Sequence, residues 1–159
     1  MEIWDAYDAD FNKLENMTLI RDMPIPDGVF HLVCGIIVRH TDGQYLIMRR
    51  DPRKPFPGMW EASAGGSALL GETPLDCAER ELREETGLSG GEMTELGRAV
   101  SPEKHCLYVD YLYVTDCDKG SVVLQEGETV DYKWVDKDAL LGMDGRELLF
   151  KENLRYIRE

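Results

Sequence analysis

Apolar positions recur along the chain in two rhythms. Residues 31–39 and 45–50 are short runs rich in β-branched and aliphatic side chains, separated by the hairpin signal Thr41-Asp42-Gly43, and they predict two strands. Further strands are predicted over residues 3–7, 60–62, 95–100, 107–115 and 130–135. Residues 8–10 read as a turn, and the Pro- and Gly-bearing segments 24–28 and 53–58 read as loops.

The second rhythm is helical. Thr73 can cap a helix, Pro74 suits its first position, Asp76 stands where the helix dipole favours an acid, and Gly87 ends it. At about 100° per residue, Leu75, Ala78 and Leu82 fall on one arc and predict the core face. Glu79 and Arg83 turn towards water on one flank, and Glu81, Glu84 and Glu85 share the other, with Arg80 at its edge. A short helix is predicted over 137–141. The tail from Arg146 carries Phe150, Leu154 and Ile157 at helical spacing and predicts a closing amphipathic helix. Strands and helices in this order indicate an α/β or α+β class.

Composition narrows the setting. A chain of 159 residues, 43% hydrophobic and 31% charged, suits one globular domain. A net charge of −13 disfavours nucleic acid and anionic membrane surfaces as partners, because no phosphate-neutralising excess of Lys and Arg is present. The longest apolar run, near residues 32–38, is far too short to span a bilayer. The four cysteines, Cys34, Cys77, Cys106 and Cys117, form no C-x-x-C pair and have no His at zinc spacing. Cys34 and Cys106, in apolar runs, read as buried reduced thiols. The opening M-E-I-W-D has no basic region followed by an apolar stretch, so no signal peptide is expected and a reducing cytoplasm is the expected location.

The carboxylates at the end of the central helix need an explanation. Like charges at i, i+3 and i, i+4 repel by a few tenths of a kcal/mol per pair, and acids in a last turn oppose the macrodipole by roughly 0.3–1 kcal/mol each. Either the face is solvated and compensated by Arg80 and Arg83, or it holds a cation. Oxygen-bearing side chains on one rigid face suit a hard divalent ion such as Mg²⁺.

Gly66, Glu72, Arg80, Glu81, Leu82, Glu84, Glu85, Gly87 and Leu88 together satisfy G-x5-E-x7-R-E-U-x-E-E-x-G-U, where U is aliphatic. With this motif complete, the chain resembles the Nudix hydrolases, over residues 66–88 with high specificity and more loosely through the flanking strands. The resemblance implies a single domain over 1–159, with 1–28 as an N-terminal extension, folded as an αβα sandwich around a mixed β-sheet. It implies hydrolysis of a diphosphate linked to another group, with Mg²⁺ as cofactor and Mn²⁺ as a substitute. It also implies a small-molecule diphosphate as partner, no nucleic acid, no membrane, and a monomer or homodimer. Glu81, Glu84 and Glu85 match the family's metal ligands, and Gly66 the position whose carbonyl joins them. Arg80 and Glu72 match an orienting pair; a plain structural salt bridge is the other reading. The proton acceptor is left open between Glu84, Glu85 and the later loop acids Glu126 and Glu128. Arg49, Arg50, Arg53 and Lys54 cluster ahead of the motif and are candidates to face the phosphates.

Two further stretches, W-D-A-Y-D at 4–8 and K-P-F-P-G-M-W at 54–60, look like the branch that includes isopentenyl diphosphate isomerase. Isoprenoid diphosphate isomerisation is therefore a competing expectation. The isomerases carry a catalytic Cys at the position that is Gly65 here, and glycine has no thiol. A non-catalytic nucleotide-binding module is a third reading, against which the complete motif speaks. Trp4, Tyr7, Phe56 and Trp60 could stack on a base or pack in the core. Pro102 stands near a position associated in the family with ADP-ribose hydrolysis, and His105 could contact phosphate.

Overall fold

The computed structural model describes residues 1–158 of the chain. Its centre is the strand β3 (His31–His40), buried along most of its length because both faces are covered. One flank pairs in parallel with β8 (Cys106–Thr115) over ten residues, and β8 pairs in turn with β7 (Glu92–Ser101). The other flank is split. β4 (Tyr45–Arg50) meets β3 only next to the hairpin, at Arg39 and Tyr45, and the widening gap admits β6 (Ala64–Ser67) alongside residues 33–36. β4 continues outward to β5 (Trp60–Glu61) and β9 (Thr129–Val135), and β10 (Leu148–Leu149) lies parallel to β5. Among the described residues, eight strands thus form one mixed sheet, with few helices, which is an α+β fold.

Alternation along the strands separates two cores. Leu32, Cys34, Ile36 and Val38 of β3, with Leu46 and Met48 of β4, pack under α1 (Pro74–Thr86) through Cys77, Ala78 and Leu82. On the opposite face, Ile37, Tyr45 and Ile47 meet Leu140 of α2 (Lys137–Leu141) and Leu148, Leu154 and Ile157 of the tail. The fold is therefore layered as helix, sheet and helical segments.

The predicted cap of α1 forms in full. Thr73 accepts from the Asp76 amide, the Asp76 carboxylate accepts from the Thr73 amide, and Gly87 adopts a left-handed φ of 75°. Two expectations need correction. Leu75 is 43% exposed and does not join the core face, although the Pro74 carbonyl beside it accepts from the Cys34 thiol of β3 at 3.3 Å. The tail is not an α-helix from Arg146. Leu148 and Leu149 add to the sheet, Phe150 takes a left-handed φ of 55°, and a 3₁₀ turn over Lys151–Tyr156 follows. Leu154 and Ile157 keep their buried places at i, i+3 spacing, whereas Phe150 is exposed.

A separate hairpin of β1 (Ile3–Tyr7) and β2 (Lys13–Ile20) closes around Trp4, Ala6, Leu19 and Val29. The hairpin also grips the loop ahead of α1. The Leu70 amide donates to the Ile3 carbonyl at 3.0 Å, and the Gly71 amide to Asp5 Oδ2 at 2.7 Å. Among the described residues, no helix is long and apolar enough to cross a membrane.

Candidate active site

The splitting of β3 from β4 opens a cleft of about 470 Å³. Ser63 bridges the fork, its hydroxyl donating to the Leu46 carbonyl at 2.6 Å and accepting from the Val38 amide at 3.0 Å. Gly65 and Gly66 of β6, Glu85 of α1, and Arg50, Lys54, Glu61 and Glu128 line one part of the cleft.

Arg80 organises the acids beside it. Its Nε and Nη2 donate to both oxygens of Glu72, at 2.7 and 2.9 Å, in a bidentate pair. Nη1 reaches Glu81 at 2.9 Å and Glu84 at 3.1 Å, and Nη2 also donates to the Ser67 carbonyl. Glu72 further accepts from the Leu69 amide at 2.7 Å. Burial alone would raise the Glu72 pKa, but the Arg80 and Leu69 hydrogen bonds outweigh it and hold the carboxyl below its usual range. The Glu72 bonds in turn raise the Arg80 guanidinium pKa above its ordinary value.

The acids nearer the cleft behave oppositely. Glu85 is 8% exposed. Burial, then a hydrogen bond to Glu81 and the charge of Glu81, push its pKa well above the carboxylate range. Glu81 is also raised, again first by burial. Gly66 is what lets Glu81 sit where it does, since a Cβ there would lie 2.4 Å from Glu81 Oε1. Among the described residues, no three Glu, Asp, His or Cys side chains converge into a ready-made cation cage. Arg80 and the Glu81–Glu85 hydrogen bond compensate the charge instead. An all-oxygen donor set of carboxylates beside a bare glycine backbone nevertheless fits a hard divalent ion, which keeps water in several positions and needs no closed protein cage.

The predicted basic cluster divides. Arg50 and Lys54 line the cleft, where Arg50 pairs with Glu61 and Lys54 with Glu128. Arg49 and Arg53 do not line it. Arg49 donates to the Gly58 carbonyl at 3.1 Å, and Arg53 pairs with Asp51 at 2.7 Å. Of the two loop acids, Glu128 lines the cleft and Glu126 does not. A turn places Glu128, with the Asp51 amide donating to its carbonyl at 2.9 Å.

The aromatic candidates lie elsewhere. Trp4 stacks on His31 at 4.0 Å, Tyr7 is in the core, and Phe56 is exposed. Trp60 packs against Arg49 and Lys133. His105 bonds the Val29 carbonyl at 3.0 Å, in the turn that includes Pro102. The aromatic residues that do line the cleft are Tyr108 and Phe150, joined by Asp110, Asn153 and Arg155; the sequence marked none of them as a site residue, and Phe150 only as an apolar position of the tail. The available signal was Asp110 itself, a carboxylate inside the apolar run of β8.

A family model for the NUDIX domain matches residues 29–156. The chain belongs to the Nudix family. An uncharacterised Nudix hydrolase of Listeria innocua is 34% identical over 142 residues, covering 88% of this chain and 83% of its own length. The crystal structure of DR0079 from Deinococcus radiodurans is similar in fold, with a TM-score of 0.72 at 23% identity, over 88% of this chain and 86% of that one. The Nudix domain of Shewanella oneidensis NrtR, solved with ADP ribose, matches with a TM-score of 0.65 at 18% identity, over 81% and 86% of the two chains. Membership makes this Nudix chain an enzyme, a hydrolase of phosphorus-containing anhydrides.

Proposed function

We propose that the chain is a Mg²⁺-dependent hydrolase of the diphosphate linkage in a nucleoside diphosphate joined to another group, or in a related organic diphosphate. The observation that carries this reading is a pair of adjacent acids, buried Glu85 in the lining of a cleft that also holds Arg50 and Lys54, and half-buried Glu81 set against Gly66, where there is no room for a side chain. Glu81, Glu84, Glu85 and the Gly66 carbonyl would hold the ion. When bound, Mg²⁺ or Mn²⁺ neutralises phosphate charge and lowers the pKa of water at the site. Arg80, fixed by both oxygens of Glu72, orients Glu81 and Glu84 by directed hydrogen bonds. Arg50 and Lys54 exchange their partners Glu61 and Glu128 for phosphate oxygens. Of the candidate proton acceptors, Glu85 and Glu128 line the cleft, which favours them over Glu84 and Glu126 for taking the proton of the attacking water.

The motif-flanking likeness to isoprenoid isomerases lacks a matching thiol. Gly65 occupies the relevant position, and the nearby Cys34 thiol is buried and donates to the Pro74 carbonyl at 3.3 Å. Phosphate release with Mg²⁺ over nucleoside diphosphate compounds, ADP ribose and isoprenoid diphosphates tests the reading. Hydrolysis of a nucleoside compound is the expected result. Double-bond migration without phosphate release, or binding without turnover, would overturn it. Glu84→Gln is expected to cut turnover by orders of magnitude with an unchanged circular dichroism spectrum.

A further inference from the structure

The cleft extends from β6 across β3 to β8, and it closes on Asp110. Gly65, Gly35 and Asp110 share one row of the sheet, since Gly35 is the register partner of both others. Two strand spacings, about 10 Å, therefore separate the glycine beside the acidic motif from the Asp110 position.

Asp110 is 8% exposed, and among the described residues no hydrogen-bond donor reaches its carboxylate. Burial raises its pKa and the charge of Arg155 offsets this only in part; the guanidinium itself donates to the Glu152 carbonyl at 2.6 Å and the Tyr156 hydroxyl at 2.7 Å. Burying an unpaired carboxylate is among the least favourable things a fold can do. The fold nevertheless makes room for this one. A Cβ on Gly35 would stand 2.5 Å from Asp110 Oδ1, so the glycine keeps open the space into which the carboxylate points. The walls beside it combine the apolar Val33, Ala99 and Val100 and the flat rings of Tyr108 and Phe150 with polar groups from Ser101, Lys104, Glu152, Asn153 and Arg155 at the rim. Flat and apolar walls with a few convergent polar groups, of which Asp110 is a buried acceptor with no protein donor among the described residues, are the arrangement by which a site selects a planar ligand with donors on one edge.

We propose that Asp110 is the specificity group of the cleft: its carboxylate accepts from two adjacent N–H groups on the substrate's leaving group, a guanine-type nucleobase edge, and discriminates against a hydrocarbon chain. The assignment rests on the diphosphate-hydrolase reading and supplies its substrate class. A ligand with two adjacent donors satisfies both carboxylate oxygens, one with a single donor leaves one unsatisfied, and an isoprenoid chain leaves the buried charge bare.

The test is calorimetric titration of the full chain in Mg²⁺ with GDP, IDP and isopentenyl diphosphate, alongside kcat/KM for each, in wild type and Asp110→Asn. Wild type is expected to bind GDP about ten-fold tighter than IDP, which lacks the second donor, and isopentenyl diphosphate more weakly still. Asp110→Asn is expected to weaken GDP binding 10- to 100-fold and to strengthen isopentenyl diphosphate binding, since no bare charge then faces the chain. The substitution is isosteric and removes a charge that opposes folding, so the variant is expected to fold. Equal affinities in wild type, or an order of preference that survives in Asp110→Asn, would overturn the assignment. If the GDP preference and its loss are seen but none of the nucleoside diphosphate compounds in the phosphate-release panel is hydrolysed, the assignment of Asp110 stands and the hydrolase reading fails.

Discussion

Gly66 and Gly35, on the adjacent strands β6 and β3, do similar work: each leaves out one methyl group so that a carboxylate can occupy its place. For Gly66→Ala the added Cβ would press Glu81 Oε1 at 2.4 Å, and the carboxylate must turn away. Turnover is expected to fall at least ten-fold and the Mg²⁺ concentration for half-maximal rate to rise, while the melting temperature changes little; a kinetic titration with Mg²⁺ reads both. The acidic motif was readable from sequence because Glu81, Glu84 and Glu85 lie within two turns of one helix, where spacing alone fixes their face. Asp110, Tyr108 and Asn153 were not, because only the pairing of β3 with β8 and the path of the tail bring them to the same cleft. The same limit applies to the basic cluster. Four neighbouring cations in sequence look equivalent, yet Arg49 and Arg53 are taken up by Gly58 and Asp51, leaving Arg50 and Lys54 at the cleft.

Among the elements, α1 was legible almost completely, since its beginning and end depend on local chemistry: the Thr73–Asp76 reciprocal cap and the left-handed Gly87. Thr73→Ala removes the acceptor for the Asp76 amide and is expected to lower stability by about 1 kcal/mol, read as a shift of the urea midpoint. Activity in the absence of urea should stay near wild type, because Glu81 and Glu85 lie two and three turns away from the cap. β2 was missed for the opposite reason: its residues are mostly exposed and show no alternation, and only antiparallel pairing with β1 makes it a strand. The tail misled through its spacing. Leu154 and Ile157 are buried as a helix would bury them, but sheet pairing at Leu148 and Leu149 and the left-handed backbone at Phe150 leave room only for a 3₁₀ turn.

At the scale of the whole molecule, the active-site cleft weakens the fold that carries it. Burial pushes the Asp110 pKa to about 6 from an ordinary 3.8. The folded state therefore holds this proton more tightly than the unfolded state does. That contribution is fully present below about pH 4, declines as pH rises towards 6, and is gone above it, where ionised Asp110 costs about 3 kcal/mol. Between pH 8 and pH 4.5, Asp110→Asn is expected to gain roughly 2 kcal/mol less stability than wild type, measured from urea midpoints at the two pH values; equal gains would reject the buried, unpaired state of this carboxylate. A second long-range dependence runs through the N-terminal hairpin, which precedes the segment matched to the family. By gripping Leu70 and Gly71 it acts as a buttress for the loop that presents Glu72, and through Glu72 it steadies the Arg80 guanidinium, which holds Glu81 and Glu84. Asp5→Ala is expected to quicken amide exchange at Gly71 and to slow hydrolysis, although Asp5 touches no part of the cleft. A change in those first strands could thus shift the placement of Arg80 from a distance, with the acidic motif itself untouched.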